Sequence, residues 1–199
     1  MITNRQVQKR ELRKERILNG ALKVFQKQGI EKATMDEIAK EADFGKATLY
    51  YYFESKEDIF SAILEQGWKE IWERIEPAIH GQNGPKDTFR SILTIVGLLV
   101  NEKRVLYQFL FTAPQSMPEM LDDKLPWKRY QNRMYGVLQG LIEEGIAKNE
   151  FPDIDSSMLL KGLGGLFHGV IFLGNQDEPI SEESIENFFA QFLGNIKAS

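Results

Sequence analysis

The chain has 199 residues, 42% of them hydrophobic and 27% charged, with a formal net charge of −4. That composition predicts a soluble protein with a sizeable core. It has no cysteine, which excludes a disulfide framework and a thiolate metal site and fits a reducing cytoplasm.

The charge is unevenly spread. Residues 1–60 hold 12 Lys and Arg against 10 Asp and Glu, and the remainder holds 13 against 19. Residues 1–16 alone hold 6 against 2. A basic arm on an acidic body fits a small DNA-binding head, although a solubilising tail would look the same. No signal-peptide core follows the basic arm, and the apolar run from Ile92 to Val100 is too short to span a bilayer, so a cytoplasmic protein away from membranes is expected.

Almost every segment reads as helix, and no alternating run of β-branched residues calls for a strand. The first helix is expected from about Asn4 to Gln28, with Leu18, Ala21, Leu22 and Phe25 at helical spacing and Gly29 as its stop. Thr34-Met35-Asp36-Glu37 is a capping box that opens a second helix, whose inner face is Ile38, Ala39 and Ala42. Asp43-Phe44-Gly45 interrupts it, and a short third helix covers Lys46 to Tyr52. Ser55-Lys56-Glu57-Asp58 caps a long fourth helix with a stripe of Phe60, Ile63, Leu64, Trp68, Ile71, Trp72 and Ile75, which Pro77 should end or kink. A loop at 81–85 precedes a largely apolar fifth helix from about Lys86 to Asn101, and a sixth runs from about Glu102 to Thr112.

Pro114 and Pro118 make the next stretch irregular. A seventh helix is expected from about Trp127 to Lys148, with Met134, Val137, Leu138, Leu141 and Ile142 inside and Asn149 as a left-handed cap. The last two should run from about Ser156 to Gly174 and from Glu182 to Lys197. The fold class expected is all-α with about nine helices: an N-terminal three-helix head over residues 1–54 and a C-terminal helical bundle over 55–199.

Two short helices joined by a tight turn behind a longer one make a helix-turn-helix, whose second short helix enters the major groove of DNA. Leu49 and Phe53 should anchor that helix, leaving Lys46, Thr48, Tyr50, Tyr51 and Tyr52 outward for phosphate oxygens and base edges. Three consecutive tyrosines can also be core residues, but three neighbours on a helix cannot all face one core.

Here the sequence resembles the tetracycline-repressor (TetR) family. The resemblance rests on Ile17–Phe25, Gly29, Thr34, Ile38-Ala39, Ala42, Lys46-Ala47-Thr48-Leu49-Tyr50-Tyr51-Tyr52-Phe53 and Ser55-Lys56-Glu57, about a quarter of the chain. It implies a one-component regulator, most simply a repressor, that binds a palindromic operator in double-stranded DNA as a homodimer and is released by a small molecule. Thr34, Thr48, Tyr50, Tyr52 and Lys56 then correspond to phosphate contacts, and Lys46 and Ala47 to base-reading positions, with Tyr51 a third. Lys9, Arg10 and Arg13 are candidates for backbone or minor-groove contacts. Two departures stand out: Asp43 replaces the usual glycine, which tolerates the turn but adds a negative charge near DNA, and Gly45 replaces a serine cap.

The eighth helix has a face of Gly162, Gly165, Leu166, Gly169 and Leu173 and another of Leu163, Phe167 and Val170. The ninth has Ile185, Phe188, Phe189, Phe192, Leu193 and Ile196. The resemblance implies that these two helices dimerise, with Gly162, Gly165, Leu166, Gly169, Leu173, Phe188 and Phe192 at the interface. The same glycines also suit packing within one chain. For an effector inside the bundle, Trp68, Trp72, Phe89, Tyr107, Phe111, Met134 and Phe167 are the candidates, with Tyr107, Gln108 or His168 to orient it, although each aromatic singly also reads as plain core. An uncharged or weakly charged apolar organic molecule is expected, because few cations occupy inward positions.

No phosphate loop, nucleophile elbow or zinc motif supports an enzyme, no cofactor is implied, and His80 and His168 alone make no metal site. Glu143-Glu144 read as a solvated pair. The competing reading is a helical interaction module without DNA binding, and an activator role stays open beside repression.

Overall fold

The structure, a computed structural model, describes residues 4–81, 83–112, 124–173 and 180–195. Among them are nine α-helices and no strand: α1 Asn4–Lys32, α2 Met35–Glu41, α3 Lys46–Tyr52, α4 Lys56–Ile79, α5 Pro85–Glu102, α6 Arg104–Thr112, α7 Lys128–Ala147, α8 Ser156–Phe172 and α9 Glu182–Asn195. The stretch with Pro114 and Pro118, and the expected ends at Gly174, Ile196 and Lys197, lie outside the described residues.

The head is built on α1. Gly29 does not stop this helix outright but joins two helical pieces at φ 78°, a left-handed conformation that glycine tolerates. The bend turns Ile30 and Ala33 into the core. Close helix crossing fixes α2: a Cβ on Gly20 would lie 2.9 Å from the Ala42 backbone nitrogen, so only glycine admits this approach. Both expected capping boxes are present, Thr34 with Glu37 and Ser55 with Asp58.

Helix α4 passes from the head into the body and buries its whole expected stripe. Pro77 neither ends nor visibly breaks it. The proline sits in the last turn, where one lost ladder bond is cheap, and the helix runs two residues further. Gly67 lets Leu110 of α6 come close, since a Cβ there would meet Leu110 Cδ1 at 2.9 Å.

Helix α5 is the centre of the body and packs on α4, α6, α7, α8 and α9. Its N-terminus is held from a distance: the Glu150 carboxylate accepts the Lys86 backbone N–H at 2.9 Å, placing an anion where the helix dipole favours one. Glu150 is delivered by the turn after α7, where Asn149 takes φ 58° and the Glu150 N–H donates to the Gly145 carbonyl at 2.7 Å. The same turn tucks Phe151, 1% exposed, beneath Gly145 and against Phe89. At the other end of the body, the Arg104 guanidinium donates to the Ile171 carbonyl at 3.2 Å, closing the last turn of α8 from the start of α6.

A methyl group on Gly145 would overlap the Phe151 ring, whereas one on Gly140 would meet nothing within 4 Å. Gly145→Ala should therefore destabilise the protein by about 1–3 kcal/mol. Gly140→Ala, exposed in the same helix, should be neutral or stabilising by up to about 1 kcal/mol. Urea unfolding of the two variants checks the contrast.

Candidate nucleic-acid interface and internal cavity

The helix-turn-helix forms as the spacing requires. Leu49 is fully buried and Phe53 nearly so, and they hold α3 to the head. Lys46 and Ala47 are exposed at its start, Tyr50 is 47% and Tyr51 73% exposed, and Thr48 and Tyr52 are half-buried. Tyr52 packs on the core and meets Tyr51 edge-on at 5.1 Å. The three tyrosines thus divide between surface and core. Thr34 is exposed at the N-cap of α2.

Several cations in and beside the head are engaged across helices, which their spacing in sequence could not reveal. Lys46 pairs with Asp36 at 2.8 Å, and this hydrogen-bonded carboxylate holds the ammonium pKa above its usual value. Arg16 pairs with Asp43 at 3.2 Å and donates to the Ala42 carbonyl at 3.3 Å, while its guanidinium lies 4.8 Å from the Phe44 ring centroid. Asp43 takes φ 58° in the turn, and its charge is offset by an arginine one helix away. Lys56 donates to the carbonyls of Glu31 (2.8 Å) and Ala33 (3.1 Å), closing the end of α1. Lys9, Arg10 and Arg13 lie on an exposed helix rather than on an extended arm.

Inside the body, α5 to α8 enclose a cavity of about 490 Å³. Of the seven expected effector residues, Phe89, Phe111, Met134 and Phe167 line it. Trp68 stands one layer behind, 5.4 Å from Phe111 and 6.3 Å from Tyr135, both of which line the cavity. Trp72 and Tyr107 do not line it. Trp72 faces α7, donating to Glu76 at 3.1 Å with Arg133 stacked 3.9 Å from its ring. Tyr107 is fully buried, and burial first and the Glu70 carboxylate second push its hydroxyl pKa far up. Of the polar groups expected to orient a ligand, His168 lines the cavity and Tyr107 and Gln108 do not, while Gln139 of α7 and Ser157 and Lys161 of α8 join His168 in a polar rim that the sequence reading missed. Their spacing of four and seven residues along α8 is the signal that marks them as one flank.

Residues 17–63 match the family described as bacterial regulatory proteins, tetR family. Over 190 residues the chain is 25% identical to the HTH-type transcriptional regulator YvdT of Bacillus subtilis, covering 90% of this chain and 94% of that one. The fold matches the TetR-family regulator PfmR of Thermus thermophilus with a TM-score of 0.74 at 22% identity, over 91% and 98% of the two chains. It also matches the transcriptional regulator FadR of Bacillus subtilis, solved in complex with stearoyl-CoA, with a TM-score of 0.69 at 19% identity over 91% and 97%. The chain carries the TetR-family helix-turn-helix. It is a transcriptional regulator with a helix-turn-helix head on an all-α body, and no described helix is long and apolar enough to cross a membrane.

The two expected faces of α8 separate cleanly. Leu163 and Phe167 are buried and Val170 half-buried. Gly162 and Gly165 are open, with nothing within 4 Å of a Cβ placed on either. Leu173 is 77% exposed, and Met158, on the same flank, is 68% exposed. On α9, Phe188 and Phe192 stack at 5.9 Å, the first half-buried and the second 37% exposed. Met158 is a surface apolar residue that the glycine pattern alone did not single out.

The Glu37 carboxylate accepts from the Thr34 hydroxyl at 2.8 Å, from Gln28 at 2.8 Å and from the Thr34 N–H at 3.0 Å. These bonds, the Thr34 hydroxyl first, depress its pKa below the usual 4.5. A carboxyl whose folded pKa is depressed contributes stability that is present above its unfolded value and lost as the pH falls through the folded value. Glu37 should therefore titrate below its ordinary value by NMR, and Thr34→Val should bring it back toward that value.

Proposed function

We propose that this protein is a one-component repressor whose homodimer binds a palindromic duplex through α3 and is released when a small molecule fills the cavity of the body. The observation that carries the DNA half is the exposed surface of α3, where Lys46, Ala47, Tyr50 and Tyr51 project from a helix anchored by Leu49. In this reading Lys46 and Ala47 read base edges with Tyr51, while Thr34, Thr48, Tyr50, Tyr52 and Lys56 hold phosphates. The head comprises residues 1–54 and the effector body 55–199. The two heads of a dimer would sit about one helical turn of DNA apart, or a multiple of it.

The effector half rests on the cavity and its connection to the head. Phe111 lines the cavity, and two residues before it Phe109 stacks on Phe25 of α1 at 6.0 Å and meets Phe60 of α4 edge-on at 5.3 Å. A ligand that shifts α6 therefore pushes on both helices that carry the head. It lowers DNA affinity to the extent that it binds the displaced arrangement better. The stearoyl-CoA complex of Bacillus subtilis FadR lends support, since a protein that shares this fold binds an organic ligand. Trp72 and Tyr107 have no part in this pocket, and Trp68 acts as a reporter behind its wall.

Fluorescence anisotropy on promoter DNA at several salt concentrations tests the assignment. Lys46→Ala should relax the preference at one base pair by about 1–3 kcal/mol, whereas Arg13→Ala should weaken all sequences alike and lower the salt slope by about one. Equal losses for every sequence with Lys46→Ala would remove it from base reading. Lys56→Ala should also lower the melting temperature, because its ammonium closes α1.

The homodimer is assigned to the flank of Gly162, Gly165, Leu166, Gly169 and Leu173 together with Phe188 and Phe192. Gly169 provides the test, because a Cβ there meets only Leu173 Cδ1 at an ordinary 3.9 Å. Gly169→Leu fits a single chain, so it should leave the fold intact and yield monomers by light scattering. A dimer of unchanged stability would place the interface elsewhere.

A further inference from the structure

The cavity is chemically two-sided. Its walls come from Phe89, Ile92 and Val96 of α5, Phe111 of α6, and Met134 and Leu138 of α7, and they offer only apolar surface. Its mouth runs along one flank of α8, where Ser157, Lys161, Gly164 and His168 are all exposed. Gly164 leaves a gap between the lysine and the histidine: a Cβ there would meet nothing within 4 Å.

No carboxylate belongs to the described lining, and Lys161 is its one lysine or arginine. Two carboxylates stand beside this flank without lining the cavity, and Asp155 is close enough to feel the Lys161 charge. Asp155 accepts from the Ser157 hydroxyl at 2.7 Å and the Met158 N–H at 2.8 Å, and Glu143 accepts from Gln139 at 2.9 Å and Ser156 at 3.3 Å. A cationic rim on an apolar chamber has one natural complement. The ligand's charge must stay at the mouth, because an unpaired charge among the phenylalanines would be too costly. Its remainder must be apolar and of ordinary ligand size for such a volume.

We infer that the cavity takes an amphiphile with a single anionic head group, a carboxylate in the simplest case, held at Lys161 and His168 with its apolar tail between α5 and α7. This rests on the effector reading above and specifies it. It narrows the apolar, weakly charged molecule expected from the aromatic inventory to one with a single charge at the mouth, because the flank of α8 supplies the cation that the inward positions lack. The glycine flank proposed for dimerisation adjoins the mouth along α8, since Gly165 lies four residues from Lys161 and three from His168.

The test uses three probes of equal chain length below their aggregation limits: decanoate, 1-decanol and decyltrimethylammonium. Binding is read by calorimetry and by Trp68 emission. The full-length protein should bind decanoate more tightly than decanol, by up to about fivefold, the upper range for a partly exposed ion pair. Lys161→Gln should remove that preference, and Lys161→Glu should turn it toward the trimethylammonium. Gly164→Leu should weaken all three by narrowing the mouth. Equal affinity for decanoate and decanol, or a preference unchanged in Lys161→Gln, overturns the anionic head group and leaves the effector cavity standing. Failure of all three probes to bind overturns the effector cavity itself.

Discussion

The packing of Phe60 is the constraint on which the arrangement of the two parts depends. It sits in the second turn of α4, is fully buried, and touches Phe25 of the head at 6.2 Å and Phe109 of the body at 5.3 Å. Each such ring contributes about 1.5–3 kcal/mol by burial, and edge-on geometry adds up to about 1.5 kcal/mol. A trio of rings has few alternative packings of equal energy, so the head cannot drift gradually relative to the body. It either keeps this packing or exchanges it for another. Gln26 reinforces the contact by donating to the Val105 carbonyl at 3.3 Å across the same junction.

The helices were legible because their signals are local. Thr34 and Glu37, or Ser55 and Asp58, lie three residues apart and meet wherever a helix begins there. Asn149 announced its left-handed turn in the same way. What escaped the sequence is non-local. Nothing ties Lys46 to Asp36, Arg16 to Asp43 or Lys56 to the end of α1 except the crossing of helices that the fold creates. The cavity illustrates a second limit. Trp72 and Tyr107 have the right chemistry for an apolar ligand, yet Trp72 stands on α4, outside the lining, and Tyr107 on α6 points to other neighbours. Composition gives the palette of a pocket, whereas direction depends on the rotation of each helix about its axis.

Helix α8 presents three different sides. Leu163 and Phe167 face the core, the Lys161 flank faces the cavity mouth, and the glycine flank faces outward. Its C-terminus is closed by Arg104, the first residue of α6, through the Ile171 carbonyl. The guanidinium therefore ties the helix beside the cavity to the helix that carries Phe109. A displacement of α8 reaches the aromatic junction through this bond as well as through Phe111.

The pairing of the head's cations bears on how such a protein would search a genome. Random duplex attracts proteins through phosphate neutralisation, and every cation free to displace a counterion deepens that sequence-blind hold. Lys46 at the tip of the recognition helix is tied to Asp36, Arg16 to Asp43 and Lys23 to Glu41. Each must trade a carboxylate for a phosphate before it adds to binding, and at an arbitrary site the trade gains little. At a matching site, base contacts tip the exchange. Discrimination against the millions of competing registers is then helped by weakening the wrong complexes as well as by strengthening the right one.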